Sequence, residues 1–127
     1  MSEVINWTVK AQAISGPTLT ASDTIKLETY VKSSVTVDPV AVVAVVDVDF
    51  VASPDVLIVS ADKYSEPGLI VTYKVNGAGT AKTLDGPLVL IGKENVKLLS
   101  NNPVTKLSFT NNLTTAIHIE LLSGNVS

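Results

Sequence analysis

Asp47 and Asp49 stand two residues apart near the end of the run PVAVVAVVDVDFV, Pro39 to Val51. In a strand, that spacing puts both carboxylates on one side, about 7 Å apart. Asp55 and Asp62 follow closely enough to approach from neighbouring loops. A cluster of hard oxygens suits Ca²⁺, which takes several carboxylate, carbonyl and water ligands, but the spaced acids and glycine of an EF-hand loop are missing. Two facing acids could also cleave a glycosidic bond, one protonating the leaving oxygen while the other attacks or activates water. The plainer reading is that Asp47 and Asp49 decorate the solvated end of a strand. The expectation is therefore no metal and no cofactor, with Asp47 and Asp49 kept as the calcium candidates.

The other reactive side chains are few. His118 is the single histidine and there is no cysteine. A histidine-rich metal site or a thiol nucleophile cannot be assembled from that inventory. No Gly-x-Ser-x-Gly elbow positions a serine for a Ser-His-Asp triad. The stretch NGAGT lacks the lysine and helix of a phosphate loop and reads as a hairpin turn. The pattern is that of a non-enzymatic chain. Among the aromatics, Trp7 alternates in phase with Ile5 and Val9, and Tyr73 with Val71 and Val75, which points to the core. Tyr64, in ADKYSEPG, is the one expected to be exposed. With Asp62 and Glu66 it forms the candidate ligand site of a carbohydrate- or receptor-binding module.

The elements that must carry these residues alternate with a period of two. In VINWTVKAQA, Ile5, Trp7, Val9 and Ala11 share one face and Asn6, Thr8, Lys10 and Gln12 the other. TIKLETYVK has a helix-cap candidate in Ser22 or Asp23, but its alternation and threonines favour a strand. In the long run after Pro39, Ala44, Val46, Val48 and Phe50 form a core face. Val43 and Val45 begin the opposite face and Asp47 and Asp49 end it. Further strands are expected over 56–60, 69–75, 80–84, 88–91, 96–99, 104–110 and 116–122. Turns fall at Asn76-Gly77, Gly86-Pro87, Asn101-Asn102-Pro103 and Asn111-Asn112. The result is an all-β fold, an antiparallel β-sandwich, jelly-roll-like, of eight to ten short strands in one domain over residues 1–127.

Twelve acidic residues oppose nine lysines, with no arginine, for a net charge of −3. Nucleic-acid binders lean on basic patches and on the arginine fork, so no nucleic-acid partner is expected. The start, MSEVINWTVK, lacks the basic and apolar regions of a signal peptide. The uncharged stretch Val40 to Val46 falls far short of the roughly 20 residues of a membrane helix, so no membrane partner is expected. Yet mean hydropathy is +0.37, and charged residues are 17% of the chain. Apolar surface left over in this way marks protein–protein contact. Val43 and Val45 are the interface candidates, and a homo-oligomer of cyclic symmetry is the expected form.

The last third, GPLVLIGKENVKLLSNNPVTKLSFTNNLTTAIHIELLSG, runs as a Gly-Pro and apolar strand, a Gly-Lys turn, a short apolar strand, an Asn/Pro turn, and a Leu107-x-Phe109-x-Asn111 segment before an alternating closing strand. This cadence resembles the closing strands of small β-sandwich virion proteins of tailed bacteriophages, including capsid decoration or cement proteins. The middle segment, VDVDFVASPDVLIVSADKYSEPGLIVTYKV, is similar in style. The resemblance implies a structural protein of the virion, a homotrimer on the capsid surface bound to the major capsid protein and made in the host cytoplasm. It carries over no functional residue.

Overall fold

The computed structural model describes residues 3–39, 45–50, 53–100 and 102–126. Ten strands follow one another: β1 (Glu3–Gln12), β2 (Thr18–Leu27), β3 (Thr29–Val37), β4 (Val46–Asp49), β5 (Val56–Ala61), β6 (Val71–Val75), β7 (Lys82–Thr83), β8 (Leu88–Ile91), β9 (Lys106–Asn111) and β10 (Ile117–Asn125). One helical turn, α1 (Lys93–Val96), continues into a 3-10 turn over Lys97–Leu99.

Eight of the strands make two four-stranded antiparallel sheets, ordered β3-β10-β5-β8 and β4-β9-β6-β7. Within this set the first strand pairs with the last, the second with the second-last, and so on inward to β6 with β7. The chain is thus a long antiparallel ribbon rolled up so that its pairs fall alternately into the two sheets. That winding is the jelly roll. β1 and β2 stand outside it as a separate two-stranded sheet, paired over their full lengths from Glu3↔Leu27 to Gln12↔Thr18.

The core lies between the two sheets. Leu57 and Val59 of β5, with Ile117, Ile119 and Leu121 of β10, meet Val71 and Tyr73 of β6 and Leu107 and Phe109 of β9. Tyr73 and Phe109 are direct cross-strand neighbours whose ring centroids lie 6.4 Å apart. Such pairs add to a sheet beyond the area they bury. The core reading of Tyr73 is borne out. Asn111 is fully buried and ties the layers together. Its amide nitrogen donates to the carbonyls of Val37 (3.0 Å) and Thr115 (2.8 Å), and its oxygen accepts the Leu113 N–H (2.9 Å).

Asn76 and Gly77 both take positive φ, 58° and 70°, and close the β6–β7 hairpin. Asparagine and glycine tolerate that region best. Three expectations are corrected. The segment 96–99 is helical, not a strand: Gly92 turns the chain at φ 108°, Asn95 reaches back to the Ile91 carbonyl, and Lys97 meets Glu94 at 3.2 Å one turn away. The segment TIKLETYVK is split at Glu28 between β2 and β3. Trp7 is not in the core but half-buried on β1. The described part of the long run after Pro39 forms only β4, with Val48 and Phe50 buried.

Candidate functional site

β4 lies against β9 so that Asp47 faces Ser108 and Asp49 faces Lys106. The Ser108 hydroxyl donates to Asp47 Oδ1 at 2.5 Å, and Lys106 Nζ lies 3.6 Å from Oδ2. The Ser108 hydrogen bond holds the Asp47 carboxyl below its ordinary range. Partial desolvation opposes that shift and the Lys106 charge assists it. A lysine thus serves the acid pair: Lys106 is in register with Asp49 and lies within ion-pair distance of Asp47. The two acids expected to join the pair are held elsewhere. Asp55 accepts the Val126 N–H at 2.7 Å and Asp62 the His118 N–H at 2.9 Å. Among the described residues, no three His, Cys, Asp or Glu side chains converge on one point.

The ligand site expected at Asp62, Tyr64 and Glu66 is also altered. Tyr64 is not the exposed aromatic anticipated. Its ring packs against the core, and its hydroxyl accepts the Ala61 N–H at 3.0 Å. A ring facing inward offers no stacking face to a sugar. Asp62 and Glu66 remain exposed, but Glu66 sits in a tight turn bridged to Leu69. His118 is on the surface, as its position between inward-facing Ile117 and Ile119 requires, and its Nδ1 lies 2.9 Å from Thr36 Oγ1.

Besides single exposed residues such as Leu98, apolar side chains face outward in three places among the described residues. Val45 is 52% exposed beside Asp47, Lys74, Lys106 and Ser108 on the outer face of the β4-β9-β6-β7 sheet. Val43, the other interface candidate, lies outside the described residues. The second place is the outer face of the other sheet. There Val89, Ile58, Leu122 and Lys32 stand in one cross-strand row. Val89 is exposed, while Ile58 and Leu122 are half-buried. The residues flanking Ile58 and Leu122 in sequence, Leu57, Val59 and Leu121, point into the core. Sequence reading missed this row because β5 and β8 are apolar at nearly every position, so a period of two cannot separate their faces.

The third place is the β1–β2 ribbon. Its register sets Ile5 opposite Ile25, Trp7 opposite Asp23, Val9 opposite Ala21 and Ala11 opposite Leu19. Directly paired residues share a face, so these eight make one side. The other side pairs Asn6 with Thr24, Thr8 with Ser22, Lys10 with Thr20 and Gln12 with Thr18. The ribbon is amphipathic, yet Leu19 is 61% exposed and Val9 42%. Its root is fixed to the body. Leu27 is fully buried, with Cδ1 only 2.6 Å from where a Cβ on Gly124 of β10 would stand.

The geometry thus leaves apolar side chains exposed on both sheets and on the ribbon, and leaves the sequence-derived acid and aromatic residues dispersed. Comparison with known protein families, with curated proteins and with solved structures finds no match for this chain.

Proposed function

We propose that this chain is a non-enzymatic virion structural protein, a capsid decoration or cement protein that works as a homo-oligomer on the assembled head of a tailed phage. The observation that carries the reading is the ribbon: beside a jelly-roll body stands an amphipathic arm whose apolar side, among the described residues, is only half-buried near its root and exposed at Val9 and Leu19. Large apolar side chains held in water mark a surface meant for a partner. The jelly roll recurs in capsid proteins, which supports the reading by analogy of fold. The cadence of the last third points the same way. The major capsid protein is the proposed partner and the capsid surface the proposed location. A protein that binds only the assembled shell stabilises it by mass action.

The test is binding to phage shells that lack the protein. Saturable sedimentation with the shells, together with a rise in their disruption temperature, is the expected result. Binding to free glycans instead, read as a change in tyrosine or tryptophan emission, would support a carbohydrate- or receptor-binding module. The inward-facing ring of Tyr64 argues against that module.

A further inference from the structure

We propose that the apolar side of the β1–β2 ribbon docks on a second copy of this chain, across the Val89–Ile58–Leu122 row of the neighbour's β3-β10-β5-β8 sheet. The inference rests on the self-association in the reading above and is independent of the capsid.

Three observations identify the occupant. The first is that the ribbon needs a cover. A two-stranded sheet alone is marginally stable in water, and here the pairs beyond the buried Leu27 run out to leave Leu19 and Val9 in solvent. The second is continuity. Leu27, the ribbon residue in phase with Ile25, is already buried over Gly124 on the outer face of this very sheet. Gly124 is two positions along β10 from Leu122, so it points the same way. The apolar side of the ribbon therefore begins on the surface type it is proposed to cover. Beyond Leu27, Ile5, Trp7 and Ile25 are only half-buried and Val9 and Leu19 are exposed, so the rest of this side is left for a neighbour's sheet.

The third observation is charge. From Ile5 to Ile25, Asp23 is the one charged residue on the apolar side. Its carboxylate accepts only the next residue's N–H, at 2.7 Å, and it makes no ion pair among the described residues. Covering it with apolar surface alone would be costly. Lys32 ends the apolar row on the receiving sheet, with Glu120 bordering the same depression, and it too makes no ion pair among the described residues. Docking brings Asp23 of one copy to Lys32 of the next. A closed assembly, in which each copy lends a ribbon and receives one, leaves no ribbon uncovered.

The test uses the full chain. Light scattering over a dilution series should give a mass that is a multiple of 13.3 kDa. Emission from Trp7, the single tryptophan, should shift to the red as that mass falls. Asp23→Lys and Lys32→Asp should each weaken assembly roughly tenfold, about 1.4 kcal/mol, and the two substitutions together should restore it. Ile58→Asp should abolish assembly with the far-ultraviolet dichroism unchanged, and Val89→Asp serves the same purpose if Ile58→Asp unfolds the chain. A monomer at every concentration overturns the proposal. So does an assembly indifferent to Ile58→Asp, Val89→Asp and the charge swap, which would be held by another surface. A Trp7 shift produced only by phage shells, or only by lipid vesicles, overturns it as well, because the occupant is then not a second copy. A monomer that still binds shells overturns this inference and leaves the capsid reading intact. A swap-sensitive assembly that ignores shells does the reverse.

Discussion

Replacing Asn111 with leucine keeps its branched outline and heavy-atom count and removes its hydrogen bonds. Three partners then lose their bond: the carbonyls of Val37 and Thr115 and the N–H of Leu113. A buried backbone group left unpaired costs about 1–3 kcal/mol, so the two buried ones, the Val37 carbonyl and the Leu113 N–H, cost together about 3 kcal/mol, and the part-buried Thr115 carbonyl adds less. That is a large fraction of the roughly 5–15 kcal/mol that stabilises an ordinary domain. Unfolding entropy of about 2.1 cal/mol/K per residue over this chain gives roughly 0.27 kcal/mol/K, so the Tm should fall by about 11 °C. Urea unfolding followed by far-ultraviolet dichroism checks the free energy, and calorimetry the Tm. The neighbouring Asn112→Ala, on an exposed residue, is the control and should stay within about 0.5 kcal/mol of the parent. If Asn111→Leu costs less than about 1 kcal/mol with an unchanged urea slope, the buried amide does not tie the sheets and the reasoning fails.

Other outcomes follow from the same geometry. Val45→Asp, at an exposed site, should stay within about 0.5 kcal/mol of parent stability and weaken shell binding roughly tenfold. Val48→Asp, at a site 4% exposed, should unfold the chain by burying a carboxylate, as dichroism at neutral pH would show. Because the folded-state pKa of Asp47 is lowered, its ionised form stabilises the fold above the unfolded pKa, and this contribution is lost as pH falls through the folded value. Asp47→Asn and Ser108→Ala should therefore flatten the acid side of a Tm-against-pH curve, and an unchanged curve would remove the hydrogen bond as its cause. Gly124→Ala would set a Cβ 2.6 Å from Leu27 Cδ1 and 2.8 Å from the Thr29 carbonyl oxygen. It should cost about 1–3 kcal/mol and speed amide exchange at the root of the ribbon.

Much of the architecture was legible because half-buried strands alternate. Ile117, Ile119 and Leu121 point inward and His118 and Glu120 outward, as spacing alone requires. Asn76-Gly77 announces its hairpin by chemistry, since both residues take positive φ. The helical turn at 93–99 was not legible: a one-turn element buries only Val96, too little to establish a period. Tyr64 misled because a turn suggests exposure, while a long aromatic side chain can reach back from a turn to the core it borders.

Trp7 misled for a deeper reason, and it bears on function. The alternation of Ile5, Trp7, Val9 and Ala11 was read correctly as one apolar face, and the structure keeps all four on one side of the ribbon. What alternation does not carry is the identity of the cover. A face of this kind is satisfied equally by the chain's own second sheet or by another molecule, because apolar burial is non-directional. The topology decides between them. The rolled ribbon closes on itself from β3 to β10, and each of its two sheets covers the other. Among the described residues, β1 and β2 beyond Leu27 are left with an apolar face that neither sheet buries. The residues that look most like core in the sequence are thus the ones the fold leaves half-buried or exposed on the ribbon.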